Sequence, residues 1–229
     1  MEIKFIGVGG AFDTNYINSS AIVTLNGKRY LVDCGHSVFP QLVQKGVADK
    51  IDAVIITHLH DDHIGSLSSF AFYTYHMLGR KLKILLPDHT TFKEKFFQLV
   101  SLTMVRYQNY LDFVAIDKSE IEPIETTNLH SQGMETFSFL FYEGNQMIAY
   151  SGDLGHPDFL FQEIGKRNIN TSTLTIFHDT SFYRNTAHAY YQDLMKWKDQ
   201  FNIYSYHCNP EQNPSDNMLP LVFNSPYFL

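Results

Sequence analysis

The stretch Ile55-Ile56-Thr57-His58-Leu59-His60-Asp61-Asp62-His63-Ile64-Gly65 constrains this chain more than any other. It sets three histidines and two aspartates within His58–His63, directly after a β-branched apolar run. Such a run reads as a buried strand. A solvated turn is the plain explanation for the polar cluster. So many ligand-type side chains at one strand end point instead to a metal cradle. His58 and His60 are two apart, so in extended chain both face the same way. Asp62 and His63 then enter a helix and face back across the turn. One short segment can feed two adjacent cation positions, and imidazole and carboxylate donors suit zinc, with manganese or iron as alternatives.

A binuclear site needs donors from elsewhere. His130 in Asn128-Leu129-His130, Asp153 in Tyr150-Ser151-Gly152-Asp153 and His207 in Tyr204-Ser205-Tyr206-His207 each close a β-type run before a turn-rich stretch. Functional side chains sit on such loops at the ends of rigid elements. Taken singly, a strand-end histidine is often a hydrogen-bonded core residue, so the assignment rests on the group. Cys208, beside His207, reads as a small buried residue.

The rest of the chain alternates strands and helices. Asn26-Gly27 between two β-rich runs is a strong hairpin signal, and Glu143-Gly144-Asn145 marks a second. Helices are expected over 36–46, stopped by Gly46, from Asp62 towards Leu78, stopped by Gly79, and over 90–102, 158–167 and 188–200. Strands are expected over 1–10, in the two runs of 20–35 that flank Asn26-Gly27, and over 51–58, 81–87, 120–126, 135–144, 146–153, 173–180 and 201–208. Gly7-Val8-Gly9-Gly10 lacks the spacing of a dinucleotide loop, and no helix follows it. This pattern predicts sheets covered by helices, an α/β (α+β) layered fold. The 229 residues, 44% hydrophobic, suffice for one domain over 1–229.

Charge narrows the ligand. A net charge of −7 does not favour a long polyanion, whose affinity depends on Lys and Arg. A small anion held at metals fits better. Two cysteines are too few for a disulfide framework. With no apolar run near a bilayer span and no signal-like N-terminus, a cytoplasmic setting without membrane partners is expected.

His58-x-His60-x-Asp62-His63 after an apolar strand and before Gly65 resembles the signature of the metallo-β-lactamase fold superfamily. Leu31-Val32-Asp33-Cys34-Gly35 is similar to that family's Asp-x-Gly strand end, and His130, Asp153 and His207 match its remaining ligand motifs in order. The resemblance implies a four-layer αββα sandwich and two divalent metal ions, zinc or manganese. His58, His60, His130 and Asp153 would hold one. Asp62, His63, Asp153 and His207 would hold the other, with Asp153 bridging.

The opening 5–23 and Thr175-Ile176-Phe177-His178-Asp179-Thr180 are similar to the tRNase Z-like branch, with Asp179 where that branch has Glu. His188 matches its extra active-site histidine. That branch carries a basic arm between the third ligand and the bridging Asp; here His130 and Asp153 leave room for one hairpin. In length and layout the chain is most similar to the anti-Pycsar cyclic nucleotide phosphodiesterases, which lack the arm. The implied activity is hydrolysis of 3′,5′-cyclic CMP, UMP, AMP or GMP, which would defeat cyclic-nucleotide immune signalling. It would act in the cytoplasm, the host's if phage-encoded, as a homodimer with a small-molecule partner and no nucleic acid. Asp62 and His188 would be catalytic, and His178 and Asp179 would orient the histidines. A tRNase Z-like endonuclease and a non-catalytic nucleotide-sequestering protein are the alternatives. The base would stack on a ring, for which Phe70–Tyr75 and Tyr227-Phe228 are candidates, though core packing claims most rings.

Overall fold

A computed structural model describes residues 1–167 and 169–229. In chain order the main elements begin with β1 (Glu2–Gly7), β2 (Ser20–Leu25), β3 (Lys28–Val32), α1 (Val38–Gln44), β4 (Ala53–Ile55), α2 (Asp61–Ile64), α3 (Leu67–Leu78) and β5 (Leu82–Leu85). They continue with α4 (Thr90–Thr103), β6 (Leu111–Val114), β7 (Ile121–Glu125), β8 (Phe137–Glu143), β9 (Gln146–Tyr150), α5 (Pro157–Lys166), β10 (Leu174–Asp179), α6 (Tyr191–Met195) and β11 (Asn202–Tyr206).

The strands form two mixed sheets, β1-β2-β3-β4-β5-β6 and β11-β10-β9-β8-β7. In the first, β1 to β3 pair antiparallel and β3 to β6 run parallel. In the second, β9, β10 and β11 run parallel, and β7, β8 and β9 pair antiparallel. The Asn26-Gly27 hairpin forms as expected, with positive φ at both residues and Leu25 opposite Lys28.

Side-chain alternation explains the layering, because successive residues of a strand face opposite sides. Phe139, Phe141, Ile148, Tyr150, Phe177 and Tyr206 join the core shared with Phe5, Val23 and Leu31 of the first sheet. Their neighbours Leu140, Ala149, Ile176 and Ile203 pack outward with Leu160, Phe161 and Ile164 of α5 and Leu194 of α6. On the other side α1 packs against β1 and α3 against β5. The result is the four-layer αββα sandwich.

The helix expected from Asp62 to Leu78 is broken into α2 and α3. Ser66 explains the break: its amide donates to the Cys34 carbonyl at 3.0 Å and its hydroxyl to the Gly35 carbonyl at 2.5 Å, tying the joint to the end of β3. The helix expected over 188–200 is reduced to α6. Tyr190, just before α6, is held extended instead, with the Ser181 amide donating to the Ala189 carbonyl and the Tyr191 amide to the Ser181 carbonyl. The edge strand β6 was not foreseen, because only Leu111 of its four residues is buried and no alternation marks it. Among the described residues no helix is long and apolar enough to cross a membrane.

Phe5 sits where the sheets meet, fully buried, with the rings of Phe177, Tyr206 and Tyr150 at 5.2, 5.3 and 5.9 Å. Phe5→Ala should cost about 3–5 kcal/mol in urea unfolding. Leu102→Ala, at a side chain that is 83% exposed on α4, should stay within about 0.5 kcal/mol.

Candidate metal centre

The sheets present a set of strand ends at one edge of the sandwich. Asp33 follows β3, His58 follows β4, Asp153 follows β9, Asp179 closes β10 and His207 follows β11. Local backbone geometry turns Asp33, Asp153 and His207 inward. Gly152 has φ +60°, and a Cβ there would lie 2.7 Å from the Phe137 carbonyl oxygen, so only glycine allows the turn that delivers Asp153. Asp33 and His207 adopt φ +63° and +62°, a region that non-glycine residues enter at a cost. Gly35 lets the His58–His63 loop close down: a Cβ there would lie 1.9 Å from the Asp62 carbonyl oxygen.

The seven expected donors meet in two groups. His58, His60 and His130 form one, and Asp62, His63, Asp153 and His207 the other; within each, the donor atoms lie within 4.8 Å of one another. Asp153 Oδ2 joins them. It is 3.3 Å from His63 Nε2, 3.5 Å from His207 Nε2, 3.7 Å from His130 Nε2 and 3.9 Å from His58 Nε2. Asp62 Oδ2 lies 3.3 Å from His63 Nε2 and 3.4 Å from His207 Nε2. All but the partly buried His60 are buried.

Hydrogen bonds on the far side of the rings set which nitrogen faces inward. The Thr57 hydroxyl donates to Asp33 Oδ2 at 2.8 Å, leaving its oxygen to accept from His58 Nδ1 at 3.0 Å. His63 Nδ1 donates to the same Asp33 oxygen at 2.8 Å, and His130 Nδ1 donates to the Ala187 carbonyl at 2.8 Å. The Nε2 lone pairs of His58, His63 and His130 therefore point into the centre. Such outer partners are how proteins orient metal-binding imidazoles.

The inward atoms fit cations. His58 Nε2 and His130 Nε2 both approach His60 Nδ1, at 3.0 and 3.1 Å, and one N–H cannot serve two lone pairs. His63 Nε2 and Asp153 Oδ1 are buried without a hydrogen-bond partner. Leaving buried polar atoms unsatisfied is costly, and nitrogen and carboxylate donors are what zinc-type ions take. Divalent ions would fit here.

Electrostatics point the same way. Burial, reinforced by neighbouring histidines, holds the His58 pKa well below the ordinary imidazole value. Burial opposes a charge on Asp153, but the surrounding His207 and His63 overcome it and hold its carboxyl well below the usual range. Burial would likewise depress His63, yet Asp153 and Asp33 outweigh it, so His63 Nε2 attracts positive charge strongly.

His188 stands at the rim. Asn185 Oδ1 accepts from the amides of Ala187 and His188, both at 2.8 Å, and fixes the turn. His188 Nδ1 donates to Asp179 Oδ2 at 2.9 Å and lies 3.8 Å from Asp153 Oδ2. Burial lowers its pKa, but the Asp179 bond and the two carboxylates more than compensate and raise it to about 9. His178 is placed differently from Asp179. Its Nδ1 donates to the Asp179 backbone carbonyl at 2.8 Å and lies 3.1 Å from Asp179 Oδ1, and its ring lies 14° from parallel with Phe161, so its link to His188 runs through Asp179. Cys208 joins no donor group, and burial pushes its thiol up to about 12. The part played by Asp33 and Thr57 was not anticipated. The signal for Asp33 was an Asp between an apolar strand and Gly35.

The profile of the family described as Anti-Pycsar protein Apyc1 matches residues 1–220. An anti-Pycsar protein Apyc1 of Paenibacillus sp. (strain J14) is 38% identical over 214 residues, covering 85% of this chain and 83% of the relative. One from Bacillus phage 010DV004 is 28% identical over 235 residues, covering 90% and 88%. Among solved structures, the metallo-β-lactamase fold protein YhfI from Bacillus subtilis superposes with a TM-score of 0.68 at 21% identity, covering 90% of this chain and 85% of that one. The architecture is thus the metallo-β-lactamase fold, and the chain belongs to the anti-Pycsar protein Apyc1 family.

Proposed function

We propose that the protein is a binuclear metal-dependent phosphodiesterase that opens the 3′,5′ ring of cyclic mononucleotides. The observation that carries this reading is the meeting of two donor groups around the Asp153 carboxylate, with His188 beside them on the Asp179 carboxylate. Family membership supports a cyclic-nucleotide ligand. The region between His130 and Asp153 is filled by the β8–β9 hairpin, and the net charge is −7, so a tRNA-sized polyanion finds little support.

Two divalent ions held by His58, His60, His130 and Asp153, and by Asp62, His63, His207 and Asp153, would neutralise phosphate charge and make a water acidic enough to attack near neutral pH. Asp62 is held ionised: burial opposes this, but His207 and His63 overcome it. One of its oxygens would hold a cation, and the other would accept the proton of the attacking water. The water oxygen bonds to phosphorus, the P–O3′ bond breaks, and His188 delivers a proton to the departing oxygen. Asp179 keeps the His188 ring oriented and protonated. The reading includes a cytoplasmic setting, the host's for a phage-encoded copy, consistent with relatives from a phage and from bacteria. It also includes a homodimer, for which the exposed Met77, Leu102 and Val105 offer apolar surface. Sedimentation would test that state.

Zinc- or manganese-loaded protein incubated with cyclic CMP, UMP, AMP and GMP should yield nucleoside monophosphates by chromatography. Recovery of intact cyclic ligand after denaturation would instead mean sequestration, and cleavage of precursor tRNA alone would mean RNA processing. His188→Gln should lower kcat by about 10²–10⁴. Because the charged form of His188 is the active one, wild-type activity should fall as pH rises through its pKa. Neighbouring cations would bring that limb to about 9 or below. Asp179→Asn should move the limb to lower pH, and His188→Gln should abolish it.

A further inference from the structure

A cavity of about 380 Å³ opens beside His188 and His207, walled by Gly10–Asn15, Tyr183, Asn209 and Gln212. That volume lies within the range of small-molecule sites. Two large rings on its wall contribute nothing to the core: Phe12 is 98% exposed and Tyr183 is 70% exposed. Single exposed apolar residues are ordinary. Two rings on the wall of one cavity, beside the donor centre, call for a reason.

Both are held on fastened turns. Below Phe12, the Asp13 amide donates to the Gly10 carbonyl at 3.3 Å, and Asp13 Oδ1 accepts from the Asn15 and Tyr16 amides at 3.0 and 3.2 Å. The Tyr16 ring rests edge-on against Phe223 at 5.2 Å. On the other turn, the Tyr183 carbonyl accepts from the Ser181 hydroxyl at 2.7 Å and from Asn185 Nδ2 at 3.3 Å. The same Asn185 fixes the His188 amide, so one side chain links the ring to the centre. The backbone beneath each ring is thus fixed before a ligand arrives, which lowers the ordering cost of binding.

The chemistry of the wall selects the occupant. It carries no Lys or Arg, so it offers no second phosphate a partner. Asn209 Oδ1 is engaged by the Glu211 amide at 2.9 Å, which leaves its Nδ2 as a donor, and Gln212 adds a donor and an acceptor. Aromatic faces, neutral amides and no cation suit a nucleobase. The rings expected from sequence lie elsewhere: Phe70 is buried against Phe39, and Tyr227 packs on Phe177 and Tyr204.

We propose that Phe12 and Tyr183 are the specificity residues that hold the base of the cyclic nucleotide, with Asn209 and Gln212 at its edge. This rests on the reaction proposed above. The test is calorimetric titration of metal-loaded wild type, Phe12→Ala and Tyr183→Ala with two probes, cyclic adenosine phosphorothioate and a baseless methyl riboside cyclic phosphate. Turnover of cyclic AMP is followed in parallel. In wild type the base should tighten binding, and each substitution should remove about ten-fold of that advantage, raising KM more than it lowers kcat. Equal affinities of variants and wild type for the nucleotide would overturn the proposal, as would equal losses on both probes. Base-dependent binding lost in both variants without turnover in wild type would uphold the base site and overturn the reaction alone.

Discussion

Everything in this site depends on one buried carboxylate. Asp153 Oδ2 lies within 3.9 Å of ring nitrogens of His58, His63, His130, His188 and His207. Asp153 cannot accept from His58, His63 and His130 while their Nε2 lone pairs face inward, and protonating all three would set like charges against one another. Positive charge located between the rings resolves both difficulties. The donor groups on either side of Asp153 are thus arranged for positive charge.

The sandwich makes that convergence affordable. Parallel strands from both sheets end at the same edge, so donors far apart in sequence need only a turn to meet. Asp33 does the most with one side chain. It is fully buried, sits at φ +63° and receives His63, the Thr57 hydroxyl and the Thr57 amide. Burial disfavours its charge more than His63 favours it, so its pKa is raised. Strained backbone and a buried acid at one position are typical of sites where geometry outranks stability.

Much of this was legible in the sequence. The His58–His63 cluster and the strand-end His130, Asp153 and His207 singled out in the sequence do come together in space, which no one of them could indicate alone. The hairpin at Asn26-Gly27 was legible because turn chemistry is local. What could not be read depended on tertiary partners. Ser66 splits a continuous helical pattern only because Cys34 and Gly35 are there to receive it. His188 lies in a turn because Ser181 pairs with Ala189 and Tyr191. Nor did anything local show that Asp179 reaches His188 directly while His178 meets the other oxygen of the same carboxylate.

The most direct measurement is metal content by elemental analysis of wild type and Asp153→Asn after loading with zinc or manganese and dialysis, with thermal unfolding recorded on the same samples. The account predicts two equivalents in wild type, a Tm that falls on chelation, and loss of tightly held metal in a folded Asp153→Asn protein. A wild type that retains no metal, or a variant that keeps both equivalents, would contradict it.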